Sequence, residues 1–174
     1  MRGYDHFWQW CQGIWRSPGV EQHLLELQTV HGVVILEVLL SVWLARQRYP
    51  LNSRALMAMR AETKRWVEGV VIPLREQRIA WRAEPEAEGC REAIKKLELE
   101  AEHVLGELLY SAVKSSLAPT SGLEWLDPED DAGTPGTIHN LAVALAHIEP
   151  PIDSKRLARL ATLLMASQQN VNSH

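Results

Sequence analysis

Cysteine is scarce in this sequence. Cys11 and Cys90 are the only two in 174 residues, and their separation offers neither a redox dithiol nor a cysteine-built metal site. Cys11 sits among aromatics and reads as a buried side chain; a reducing compartment suits both thiols. A glycine-rich phosphate cradle is missing, and so is the Gly-x-Ser-x-Gly turn of a hydrolase nucleophile. No long apolar run is present either. The greasiest stretch, 33–45, is too short to span a bilayer and contains Glu37. The first six residues lack the basic-then-apolar progression of a secretory signal, so a cytoplasmic location is expected. A net charge of -4 gives no global attraction to nucleic acid or anionic lipid, and neither is an expected partner. Internal repeats and β-rich segments are absent. Glu100 and His103 make one Glu-x-x-His pair on a helix, but a bundle di-metal site needs that pair twice, so no metal and no cofactor is expected.

What the chain has is tryptophan: seven in all, three of them (Trp8, Trp10 and Trp15) within the first fifteen residues. Tyr4, Trp8, Cys11 and Trp15 recur at helical spacing, which predicts a helix over 4–15 with these side chains on one stripe and Phe7 beside it. Phe7, Trp8, Trp10, Trp15 and Trp66 therefore read as an aromatic core or as an interaction surface. Ser17-Pro18-Gly19 ends the first helix, and Val20, Leu24, Leu25 and Leu27 begin a second that Gly32 breaks. The 33–45 run is apolar almost all round. A buried strand is the minority reading; its length and leucine-rich second half predict a central helix. Tyr49-Pro50-Leu51 stops it, with Asn52 or Ser53 as the next N-cap.

Over 53–82, Leu56, Met59, Trp66, Val70 and Leu74 lie near one face and basic residues fill much of the other. Pro73 falls inside this segment, so a kink or two abutting helices is expected. A long amphipathic helix follows over 85–113, with Ile94, Leu97, Ala101, Val104 and Leu108 on its face. Residues 115–136 read as an acidic loop, and two shorter helices are expected over 138–147 and 154–167. Charge is segregated: between Arg54 and Arg82 there are seven Arg or Lys against three Glu, whereas Glu84 to Glu107 carries eight Glu against three basic residues. The two stretches supply counter-charge to each other if they lie side by side.

Two candidate sites follow. Gln28 and His31 lie close in sequence to Glu37, a carboxylate inside an apolar run that must be hydrogen-bonded, paired or protonated if buried. Arg75 or Arg78 is the structural partner expected for it; ligand recognition and acid/base chemistry are the alternatives. Arg75 and Arg78 share a helix face, continued by Arg82, and this row can hold a phosphate or carboxylate or can pair with an acidic helix. The ligand-binding candidates are thus Gln28, His31, Glu37, Trp43, Arg75 and Arg78, in a cavity between the central and basic helices with a tryptophan as one wall. No catalytic residue is assigned, and the residues leave open whether the chain is an enzyme.

Phe7-Trp8-x-Trp10, Leu27-Gln28, His31-Gly32, Leu39-Leu40-x-x-Trp43-Leu44-Ala45, Trp66 and Pro73-Leu74-Arg75-x-x-Arg78, in that order, resemble a family of short, uncharacterised, all-helical bacterial proteins found mostly in proteobacteria. The resemblance covers 4–109 and implies no activity. Family members commonly carry an acidic residue after the Leu-Gln pair and Asp-Val-Asn before the leucine-rich helix, where this chain has Thr29 and Val34-Ile35-Leu36. If those polar groups form a ligand site in the family, part of it is lost here. The expected architecture is a single all-α bundle, orthogonal or up-down, of about five to seven helices. It divides into a helical core at 1–113 as the resemblance implies, an acidic Pro/Gly-rich loop at 114–136, and a C-terminal helical pair at 137–170 packing on the core. The leading functional expectation is a protein-interaction or regulatory module, acting on a protein partner or as a homo-oligomer. The alternative is a small anionic-ligand-binding protein or enzyme using Glu37, Arg75 and Arg78.

Overall fold

The structure, a computed structural model, describes residues 3–117 and 133–166. Among the described residues the chain is all helix and contains no strand: α1 (Tyr4–Trp15), α2 (Val20–His31), α3 (Ile35–Arg46), α4 (Ser53–Trp66), α5 (Ile72–Ala80), α6 (Glu88–Ser116), α7 (Gly133–Ala144) and α8 (Ser154–Ala166). A π-helical stretch, Val67–Val71, joins α4 to α5 without a break, so the eight segments form seven rods in one compact bundle.

That joint answers the proline. Pro73 has no N–H to give, and its ring would press on the carbonyl four residues back. Widening the preceding turn, so that the Ile72 N–H reaches the Val67 carbonyl, accommodates it within one continuous rod. The expected alternatives of a sharp kink or two separate helices give way to a local change of helical pitch.

Helix α3 forms the centre. Residues Glu37 through Ala45 are all buried, because an apolar surface on every side is stable only with neighbours on every side. Those neighbours are α1, α2, α6 and α7. The helix ends in a Schellman turn: Tyr49 N–H donates to the Leu44 carbonyl and Arg48 N–H to that of Ala45. Arg48 occupies the left-handed position at φ 60, where glycine is usual. Asn52 then caps α4 as expected, its Oδ1 accepting the Ala55 N–H at 2.8 Å. Helix α2 stops at Gly32, whose φ of 66 and N–H bond to the Gln28 carbonyl make a left-handed cap.

Helix α1 buries a different stripe from the one its tryptophans suggest. Phe7, Cys11 and Ile14 are the buried residues, whereas Tyr4, Trp8 and Trp15 are only partly covered. The aliphatic Ile14 takes the place expected for Trp15. Burial raises the Cys11 thiol well above its ordinary pKa, which makes it unreactive. Tyr4 ties α1 to α6 by donating its hydroxyl proton to the His103 carbonyl at 2.8 Å, and burial raises its pKa as well. Gly106 makes room for it: a Cβ there would lie 2.8 Å from the Tyr4 hydroxyl and 3.3 Å from its ring. We therefore expect Gly106→Ala to lower stability by about 1 kcal/mol in denaturant unfolding, the lost Tyr4 bond outweighing the gain in helix propensity. A stabilised variant would show that Tyr4 moves aside at no cost.

At the other end of α6 the bundle thins into an arm. No residue from Ile72 through Leu97 is buried, although α5 and the first half of α6 lie side by side. The connected hydrophobic cluster has no member between Val67 and Leu105, and only Val71 and Ala101 are buried apolar residues in that interval. Most of the expected 115–136 loop lies outside the described residues; its described ends are helical, since α6 runs to Ser116 and α7 starts at Gly133. Helices α7 and α8 contribute Leu141, Ala144, Leu157, Leu160 and Leu164, and the turn after α7 adds Leu145, to the same hydrophobic cluster as α1 and α3. No helix among the described residues is long and apolar enough to cross a membrane.

Candidate functional site

The arm is joined by charge. Arg75 and Arg78 stand one turn apart on α5, and Glu98 and Glu102 one turn apart on α6, so helical periodicity points both pairs into the seam. Glu98 receives both arginines. Arg75 Nε donates to its Oε1 at 2.8 Å and Arg78 Nε to its Oε2 at 2.6 Å, while Arg75 Nη2 reaches Glu102 Oε1 at 3.2 Å. The Glu98 side chain is 9% exposed, against 31% and 28% for Arg75 and Arg78. This is a buried carboxylate held by two guanidinium groups that still face solvent.

Burial alone would raise the Glu98 pKa, but the hydrogen bonds and charges of Arg78 and Arg75 outweigh it and hold the carboxyl below its ordinary range. The hydrogen bond to Glu98 raises Arg78 in turn. Glu102 moves the other way: desolvation pushes it up, Arg75 only partly offsets that, and the Glu98 charge adds to it. The cluster therefore sets two guanidinium groups against two carboxyls, of which Glu98 is held below its ordinary pKa and Glu102 above it. Nε and one Nη2 hydrogen of each arginine are engaged, and no hydrogen bond among the described residues uses the Nη1 hydrogens.

The other candidate residues lie elsewhere. Glu37 is buried in α3, as its position in an apolar run implies, but its partner is Thr63 of α4, whose hydroxyl donates to Oε1 at 2.6 Å. Among the described residues no hydrogen bond or ion pair joins Glu37, Gln28 or His31 to Arg75 or Arg78. Gln28 and His31 are partly covered residues of the last turns of α2, and the His31 Nε2 is buried without a hydrogen-bond partner.

The aromatics divide into groups. Phe7 is fully buried and touches Trp10, Trp43 and Tyr110, with Trp10 and Trp43 5.5 Å apart between centroids. Arg46 lies over the Trp10 ring at 5.8 Å. Trp8 packs edge-on against His103 at 4.6 Å, away from the core stripe. Trp15 is partly buried at the core margin. Trp66 donates its indole N–H to the Ala101 carbonyl at 2.8 Å and so fastens α4 to α6. His103 stands at Trp8 and Tyr4, and among the described residues no group of three or more His, Cys, Asp or Glu is placed to hold a metal ion.

Sequence reasoning identified the arginine row and weighed an acidic helix against it, but missed Glu98 as the shared partner. The signal was present in the charge segregation of 54–82 and 84–107. Thr63 carried no such signal, because a threonine hydroxyl on a helix ordinarily bonds its own backbone, as Thr63 also does to Met59.

The chain belongs to the family described as Protein of unknown function (DUF2390), which it matches over residues 6–109, more than half its length. Neither a curated protein nor a solved structure matches it.

Proposed function

We propose that this DUF2390 protein binds a small anionic ligand, a carboxylate or a phosphate, at the Arg75–Arg78 pair. The observation that carries the reading is the geometry of the two guanidinium groups. They converge on one buried carboxylate yet remain about 30% exposed, with hydrogens to spare. Glu102 shares Arg75 at 3.2 Å and burial raises its pKa, so an added anion competes with it for that guanidinium most effectively as pH falls. Glu98 acts as the positioning residue that holds both arginines side by side. The resemblance drawn over 4–109 covers nearly the stretch that matches DUF2390, which supports reading them as one family. A protein-interaction role is favoured by one further observation, the exposed apolar side chains on the same arm.

Calorimetric titration with sulfate and with succinate tests the ligand reading. Binding by the intact chain should weaken by about tenfold or more in Arg75→Ala and in Arg78→Ala, the scale of one lost charge-assisted bond. The pH dependence has a definite sign. A bound anion raises the Glu102 pKa further, so binding takes up a proton, and affinity for sulfate should fall as pH rises through a range above the ordinary 4.5. Unchanged affinity in both variants, or no binding of either probe, overturns the reading.

A further inference from the structure

We propose that the anion site extends along the seam to Arg91, so that it takes an elongated dianion: one anionic end on Arg75 and Arg78, the other on Arg91, and an apolar stem between them. The inference rests on the anion-binding reading above and deepens it by naming the class of ligand.

The stripe of α6 that faces α5 is marked by its coverage. From Glu88 to Glu98 every residue is exposed except Arg91, Ile94 and Glu98, which recur at the three- and four-residue spacing of one helix face. Glu98 is the residue that receives Arg75 and Arg78, so this is the face turned to α5. Arg91 stands on it two turns before Glu98, about 10 Å nearer the connection between the two helices.

The Arg91 side chain is the one arginine of this stripe without a partner. Its Nε is buried with no acceptor, and among the described residues no hydrogen bond or ion pair holds the guanidinium. The acids nearest in sequence, Glu84, Glu86, Glu88 and Glu92, are all exposed, and none pairs with it. The exposed positions around the stripe carry both signs, with Lys95 and Lys96 among the glutamates, so recognition rests on the placement of donors and not on the sign of a surface. A buried donor without an acceptor is costly, the more so on a charged group, and an acceptor supplied by a ligand recovers that cost.

Between the two ends the seam is apolar. Ile94 occupies the stripe between Arg91 and Glu98, and Trp81, partly covered, opens the short turn after α5 that packs on α6. A compact anion such as sulfate reaches one end only. A stem laid along Ile94 carries a second anionic group to Arg91, where the charge-assisted bond adds to those at Arg75 and Arg78.

Calorimetric titration of the full chain with succinate, its longer homologue suberate and monomethyl suberate tests the proposal. Suberate should bind about tenfold more tightly than succinate, and monomethyl suberate, which keeps the stem but only one charge, should lose that gain. Arg91→Gln should bring suberate down to the affinity of succinate, and the Arg91 Nε–H resonance should shift more with suberate than with sulfate. Since no hydrogen bond or ion pair of Arg91 holds the fold, circular dichroism should not change. Should helix content fall, Arg91→Lys, which keeps the charge but loses the Nε donor, carries the same test by reducing the gain of suberate. If sulfate, succinate and suberate all fail to bind, anion binding and its extension fall together. If sulfate or succinate binds but suberate gains nothing, or its gain survives in monomethyl suberate or in Arg91→Gln, the extension alone is overturned.

Discussion

Replacing Asn140 with leucine should cost about 4 kcal/mol of stability. Asn140 is fully buried on α7 and joins three backbone groups of the central helix and the turn after it. Its Oδ1 accepts the Leu51 N–H at 2.8 Å, while its Nδ2 donates to the Ser41 and Tyr49 carbonyls at 3.0 Å each. A buried backbone group left without its partner costs roughly 1–3 kcal/mol, and leucine fills similar space without supplying any of the three bonds. The residues between Tyr49 and Asn52 have few helical bonds to fall back on, so the loss opens the α3–α4 connection first. Denaturant unfolding reads the total, and faster hydrogen exchange at the Leu51 amide locates it. Asn140→Asp sharpens the test: it keeps the acceptor but turns two donors into a carboxylate facing two carbonyls. Its pKa in the folded protein must therefore rise, and the variant should regain stability as pH falls through that raised value. A loss under about 1 kcal/mol in Asn140→Leu would show that the turn finds other partners.

Much of the fold was legible because it is written in local pattern. The 33–45 run could only be a central helix once its length argued against a strand, and α3 occupies Ile35–Arg46 with every residue from Glu37 to Ala45 buried. Gly32 and Asn52 act where left-handed geometry and capping chemistry place them. Asn140 was not legible, since its partners lie about ninety residues earlier in the chain and nothing in Ile138-His139-Asn140-Leu141 distinguishes a buried amide from an exposed one. The first helix was read from its tryptophans, which are too large to be fully covered beside one another; Phe7, Cys11 and Ile14 fit the narrower space against α3 and α6. For Glu37 the need for a partner was readable and the identity was not, because Thr63 becomes adjacent only when α4 folds back.

The arm shows how site and fold relate. A segment with no buried residue between Ile72 and Leu97 draws its cohesion from the Arg75, Arg78, Glu98 and Glu102 contacts more than from apolar burial. Such regions open at a lower free energy than the core around α3, and ligand sites are drawn from that end of the stability range. An anion on the arginines would tighten the arm by mass action and leave the core unaffected.

Trp43→Ala should destabilise the chain by roughly 3–5 kcal/mol, the usual range for removing a buried large aromatic. Trp43 is 3% exposed on α3 and is held between Phe7 at 6.0 Å and Trp10 at 5.5 Å between ring centroids. Removing it empties the space in which α1 meets the central helix, and Phe7 has no smaller core into which it can collapse. Its indole N–H has no hydrogen-bond partner, so the loss is one of packing. That distinction is testable: Trp43→Phe keeps an aromatic ring while losing the N–H and part of the indole's apolar volume, and should cost clearly less than Trp43→Ala. Trp8→Ala is the second comparison. Trp8 is only partly covered and meets His103 and Tyr4 at the margin of the bundle, so its loss should cost clearly less than that of Trp43. Equal losses for Trp8→Ala and Trp43→Ala would place the aromatic centre of the fold at the α1–α6 contact instead of between α1 and α3.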